Sequence, residues 1–202
     1  MVKVKICGLT DEREAVFCAQ AGADYVGVVV YPKSPRFVPP ERRRGILKAL
    51  KDLPVKTVAV TVNESPEALL ALLEEGFDLL QLHGDEEPSV LRKLPPERVI
   101  KAFRVKEALP EVKGWEGVHA FLFDAYDEKA YGGSGKRFRW ELVKDFKGRF
   151  FLAGGLTPEN VGKAVKLVRP YAVDVSSGVE RSKGRKDLKK VELFIKRAKG
   201  AL

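Results

Sequence analysis

The chain has 202 residues, 45% of them hydrophobic, and a formal net charge of +9 from 37 Lys and Arg against 28 Asp and Glu. That is enough to bury a core in one large domain or two small ones, and 18 glycines with 12 prolines exclude a fibrous or disordered chain. No apolar run reaches the roughly 18–20 residues that span a membrane. Lys3 and Lys5 interrupt the segment where a signal peptide would be apolar, and two cysteines with two distant histidines, His83 and His119, make neither a disulfide framework nor a zinc site.

A soluble cytoplasmic protein without a metal is the expectation, and a short unit recurs along it: an apolar strand, a turn, then a helical pattern. The first strand covers residues 2–7 and ends on Cys7. The helix in "TDEREAVFCAQAG" opens at Thr10 with acidic residues and ends near Gly22. Its small stripe of Ala15, Cys18 and Ala19 marks Cys18 as an inert buried thiol. A strand at 25–31 leads into "YPKSPRFV", where Pro32 and Pro35 stiffen the loop that carries Arg36. A preorganised arginine suits a carboxylate or phosphate, although a surface arginine is the alternative.

The third strand covers 55–62, and "ESPEALLALLEEG" is a helix starting at Ser65-Pro66 and stopping at Gly76. The fourth, 78–83, ends in His83, either a ligand contact or a satisfied core histidine. The fifth strand, 98–104, is followed by the poorest helix pattern, since 106–117 holds Pro110, Gly114 and Gly117. The sixth, 119–125, carries Asp124 after Phe121-Leu122-Phe123. A carboxyl in such apolar company resists ionisation and can act as a general acid, or it can simply cap the loop or pair with a lysine.

"YGGSGK", residues 131–136 with Gly133 inside it, is glycine-dense enough to close over a substrate or to be a plain connector. The seventh strand, 149–153, ends in Gly154-Gly155, and Thr157 with Pro158 opens the next helix. The eighth, 171–176, holds Asp174 and ends in Ser176-Ser177-Gly178. The last helix, "DLKKVELFIKRAK", spaces Leu188, Val191 and Ile195 at helical period.

Eight strands alternating with about eight helices read as an α/β chain folded into one (β/α)₈ TIM barrel over residues 1–202. A doubly wound sheet would show a similar alternation, but its G-x-G-x-x-G fingerprint is absent. Barrel active sites sit at the C-terminal strand ends, and phosphate commonly lies between the loops after strands seven and eight. Gly154, Gly155, Ser176 and Ser177 are placed to bind it with backbone N–H and hydroxyl groups. The positive charge is then a solvated surface or an attraction for an anionic partner. The triplet Arg42-Arg43-Arg44 lacks any accompanying nucleic-acid signature.

Together "KICGLT", "YPKSPR", "VNE", "QLHGDE", "FDAYDEKAYGGSGKRFRW", "LAGGLTPENV" and "DVSSGVE" resemble, in order and over residues 3–180, the phosphoribosylanthranilate isomerase family of tryptophan biosynthesis. The resemblance implies a (β/α)₈ barrel that performs an Amadori rearrangement of a phosphorylated aminoaldose, needing no cofactor. It implies Cys7 as general base, Asp124 as general acid and Arg36 as the clamp on the anthranilate carboxylate. It further implies phosphate at Gly154-Gly155 and Ser176-Ser177, with Asp174 on sugar hydroxyls. Thr61, Arg139 and Lys183 depart from the family pattern in loop detail. No nucleic-acid or membrane partner is expected, and both a monomer and a homodimer stay open.

Overall fold

The computed structural model describes residues 1–125 and 137–202. Eight parallel strands close into a barrel in chain order: β1 (Lys3–Ile6), β2 (Tyr25–Val29), β3 (Lys56–Thr61), β4 (Leu79–Leu82), β5 (Val99–Val105), β6 (Ala120–Ala125), β7 (Phe150–Leu152) and β8 (Ala172–Val175), with β8 pairing back onto β1. Each falls inside or within a residue of the stretch its apolar run predicts. Around them lie α1 (Glu12–Gln20), α2 (Pro40–Leu50), α3 (Pro66–Glu75), α4 (Val161–Val168) and α5 (Leu188–Lys199). A two-stranded hairpin, β9 (Glu180–Ser182) and β10 (Arg185–Lys186), follows β8.

The expectation of about eight helices is too high. The described residues hold five α-helices, and short 3₁₀ turns stand at Pro88–Arg92, Pro96–Arg98, Trp140–Leu142 and Ser177–Val179. Prolines at 88, 95 and 96 confine the β4–β5 connection to tight turns, because proline lacks the N–H a longer helix needs. Between β5 and β6 no helix forms, and Gly114 and Gly117 both have positive φ. Trp115 from this segment is buried in a helix's stead, with the Lys101 ammonium 5.0 Å from its ring.

Helix ends also differ in detail. Asp11, not Thr10, caps α1 by accepting from Glu14 N, while the Thr10 hydroxyl donates to Gly184 O. Ser65 caps α3 as its sequence predicts. Helix α4 starts at Val161, because Thr157, Pro158 and Asn160 form a turn before it, with Asn160 Oδ1 accepting from Thr157 N. In α5 the buried stripe is Val191, Phe194, Ile195 and Ala198, and Leu188 stays part-exposed. The three arginines diverge as their spacing requires: Arg43 pairs with Glu75, Arg42 donates to Thr10 O, and Arg44 to Pro40 O.

The period of two along each strand sorts the interior. Val4, Ile6, Val26, Val28, Leu80, Leu82, Phe123 and Leu152 face the helices in one cluster, and Cys18 lies buried there too. Tyr25, Val58, Leu79, Ile100, Leu122, Phe151 and Ala172 fill the barrel itself. At the N-terminal end of the barrel, the Tyr25 hydroxyl lies 2.9 Å from that of Tyr171 and 3.3 Å from His119 Nε2. Burial, with Arg149 and Lys56 nearby, holds the His119 imidazole down to about 4.

Candidate active site at the barrel mouth

Two steps past Lys5 the inward face of β1 continues into Cys7, and the same parity brings in Val29, Tyr31, Val60, Val62, Gln81, His83, Asp124, Asp174 and Ser176. These residues wall one cavity at the C-terminal end of the barrel, together with Ser34 and Arg36 from the β2 loop. A second, adjoining cavity is lined by Gly154, Gly155, Ser176, Ser177 and Gly178, and shares Asp124 and Asp174 with the first. The predicted site residues therefore meet in one place. Gly133 and the "YGGSGK" loop lie outside the described residues.

The second cavity sets hydrogen-bond donors beside its two carboxylates. Three glycines, which offer only backbone, stand in its wall, and the first N–H groups of the Ser177–Val179 turn have no partner within that turn. The Ser176 hydroxyl is buried with no protein partner among the described residues. Gly154 is required by geometry: its φ is +88°, and a Cβ would lie 2.7 Å from Ala125 N and 3.1 Å from Asp124 Oδ1. The cradle thus presses directly on the carboxylate.

Asp124 is less apolar in its setting than its sequence neighbours suggest. Oδ2 lies 3.4 Å from His83 Nε2, and Oδ1 accepts from Ala125 N. His83 in turn has Nδ1 2.7 Å from Gln81 Nε2, so Gln81, His83 and Asp124 form a chain across the barrel. His83 is therefore a buried member of the site wall. Thr61, one of the departures from the family pattern, donates its hydroxyl to Gln81 O and steadies this chain.

Arg36 is buried, not a surface residue. Its Nε and Nη2 donate to the two oxygens of Glu180 at 2.7 and 2.8 Å, a bidentate pair, and Ser34 Oγ accepts from its backbone N–H. The Lys186 ammonium, fully buried, lies 3.2 Å from the same Glu180 and donates to Ser176 O. The Glu180 hydrogen bond raises the Arg36 guanidinium further. Burial pulls the Lys186 ammonium below its ordinary value, although Glu180 opposes it. Burial pushes the Cys7 thiol up, opposed by the Lys5 ammonium and reinforced by Asp174. Asp174 itself is held by Lys5 Nζ at 2.8 Å.

Lys5, Gln81, Glu180 and Lys186 escape a reading by sequence alone. The signal for Lys5 and Gln81 is parity, since they share the inward face with Cys7 and His83. Glu180 carries none, because its partner Arg36 is 144 residues away in the chain, and Lys186 joins the site only through Glu180 and Ser176 O. A wider groove of about 690 Å³ between α1 and the β9–β10 hairpin contains no strand-end residue of the barrel.

Fold and mouth together define a (β/α)₈ barrel whose mouth joins a thiol and a carboxylate to a glycine-lined cavity. Comparison with known proteins narrows this. The sequence model of the N-(5′-phosphoribosyl)anthranilate (PRA) isomerase family matches residues 4–197. The protein named N-(5′-phosphoribosyl)anthranilate isomerase in Aquifex aeolicus (strain VF5) is 55% identical over 202 residues, which is 98% of this chain and 99% of the relative. The crystal structure of phosphoribosyl anthranilate isomerase from Thermotoga maritima superposes with a TM-score of 0.86 at 42% identity, over 99% of this chain and 100% of that one. A crystal structure of the isomerase in complex with reduced 1-(o-carboxyphenylamino)-1-deoxyribulose 5-phosphate superposes at 0.83 with 40% identity, again over 99% and 100%. The chain belongs to the N-(5′-phosphoribosyl)anthranilate isomerase family.

Proposed function

We propose that the protein, as one domain over residues 1–202, converts N-(5′-phosphoribosyl)anthranilate into 1-(o-carboxyphenylamino)-1-deoxyribulose 5-phosphate, a step of tryptophan biosynthesis. Asp124 is the general acid: it protonates the furanose ring oxygen, and the ring opens to a Schiff base. The iminium acidifies the sugar C2′ hydrogen, which Cys7 removes as general base. The enol then tautomerises to the ketone. Substrate and product are isomers, with C2′ oxidised as C1′ is reduced, so the reaction is an internal aldose–ketose exchange that balances without an outside electron acceptor. Arg36 holds the anthranilate carboxylate. Gly154, Gly155, Ser176 and Ser177 hold the phosphate, and Asp174 and His83 face the sugar.

The observation that carries this reading is that Cys7, Asp124 and Arg36 wall one cavity that shares Asp124, Asp174 and Ser176 with the anion cradle. A sugar phosphate seated there presents one end to the cradle and its reacting carbons to the acid and the base. The partner is a small phosphorylated molecule, and two free cysteines suit the cytoplasm. Among the described residues no helix is long and apolar enough to cross a membrane.

Steady-state turnover of Cys7→Ala and Asp124→Asn tests the two roles. Each variant should lose about 10²–10⁴ in kcat, the contribution of positioned acid–base groups. Near-normal kcat in either variant, with an unchanged circular dichroism spectrum, removes that residue from the mechanism. Arg36→Ala should chiefly raise KM.

A further inference from the structure

The scheme above leaves a lysine unused. Lys5 has no exposed surface and sits inside the barrel. The register of β1 on β8 places it beside Asp174, and the two pair at 2.8 Å. Burying such a pair is a weak source of stability compared with filling the space by apolar side chains. A second observation ties the lysine to the chemistry. Gly27 on the neighbouring strand has no side chain, and a Cβ there would lie 2.7 Å from Cys7 Sγ and 3.2 Å from Lys5 Nζ. The ammonium and the sulfur therefore share the gap that Gly27 leaves open.

We propose that Lys5 is a positioning residue for Cys7: its ammonium, anchored by Asp174, is the cation against which the Cys7 thiolate forms. The inference deepens the assignment of Cys7 as the base and rests on it. Turnover requires the thiolate, yet a sulfur in the barrel wall is poorly hydrated and its anion must be stabilised by protein charge. The charged and titratable groups around that cavity are Lys5 from β1, Asp174 from β8, Arg36 and Tyr31 after β2, His83 after β4, Asp124 from β6, and Glu180 with Lys186 from the hairpin. Arg36 and Lys186 share Glu180, and Lys5 holds Asp174. Of these cations Lys5 exerts the strongest pull on the thiol, and it stays protonated because Asp174 and Cys7 together outweigh its burial.

Alkylation by iodoacetamide reads the ionisation of Cys7 in the ligand-free protein, since the thiolate is the species that reacts. Cys18, pushed up to about 12 by burial, stays unmodified and serves as an internal reference in mass spectrometry. Lys5→Met, nearly the same shape without the charge, should move the alkylation profile to higher pH and slow the reaction about tenfold at pH 8. Asp174→Asn removes the competing anion and should move the profile the other way, to lower pH. Lys5→Arg should stay near wild type. Opposite shifts support the proposal, and either single variant tests it should the other fail to fold. An unchanged profile in Lys5→Met, or shifts of the same sign in both variants, overturns it. The readout needs no turnover. Normal kcat in Cys7→Ala alongside the opposite shifts would refute the assignment of the base and leave the Lys5–Cys7 coupling standing.

Discussion

Glu180→Gln removes one negative charge from a place where two buried cations depend on it. Oε1 accepts from Arg36 Nε at 2.7 Å and lies 3.2 Å from Lys186 Nζ, while Oε2 accepts from Arg36 Nη2 at 2.8 Å. The side chains of Arg36, Glu180 and Lys186 are 9, 5 and 0% exposed, so water replaces little of what is lost. Breaking one partner of a buried pair costs about 3–5 kcal/mol. Glutamine keeps the shape and one acceptor, which places the loss near the lower end, at about 3 kcal/mol. For a chain of this size each kcal/mol is worth about 2–4 °C, so Tm should fall by about 6–12 °C at pH 7.

The pH dependence carries the sign. Burial alone would raise the Glu180 carboxyl, but Arg36 and Lys186 outweigh it and hold the group below the usual carboxylate range. A carboxyl depressed in the folded state adds stability above its unfolded value, about 4.3, and loses it as the pH falls through the lower folded value. Calorimetric melting of both proteins from pH 7 to 3 should therefore show a constant gap down to about pH 5 that closes in stronger acid. A gap below about 2 °C at pH 7, or one that persists unchanged at pH 3, refutes the account of the network. KM should rise in the same variant, because Arg36 loses the carboxylate that fixes its plane.

Two other substitutions probe different links. Gly154→Ala forces a left-handed residue against Ala125 N, at a cost of about 1–3 kcal/mol. Because the displaced strand end carries Asp124, kcat should fall further than the melting temperature suggests, and an unchanged kcat would separate the cradle from the acid. His119 is held neutral in the fold, so the unfolded chain takes up its proton first as the pH drops below about 6.5, and stability declines until about pH 4. His119→Gln should flatten that decline in urea midpoints. An equal slope in the variant places the acid sensitivity elsewhere.

The strands were legible because both faces of a barrel strand are buried, which makes runs such as 25–31 apolar almost throughout. The outer layer was less so. Between Leu82 and Val99 prolines cut the helical pattern short, and between Val105 and Ala120 a buried tryptophan over a lysine takes the place of a helix. The ends of the strands pointed to Cys7, Arg36, His83, Asp124, Asp174 and the two phosphate loops, because loops after parallel strands gather on one face of the barrel. The charges that hold these residues did not announce themselves. Lys5 alternates with Val4 and Ile6 as a surface lysine would, and only closure of the sheet turns its face inward. The Arg36–Glu180 pair spans 144 residues, and no local pattern records such a contact.

The parity that sorts β1 into Lys5 and Cys7 on one side and Val4 and Ile6 on the other also acts as a reading frame. A single residue gained or lost within Lys3–Ile6 would turn the strand half a period. Ile6 would then enter the cavity, and the thiol would be carried to the helix side among the outer packing. Such an indel could leave the composition of the strand nearly intact and still erase its chemistry. In this barrel the length of a four-residue strand is as much a part of the active site as the identity of the residue at its end.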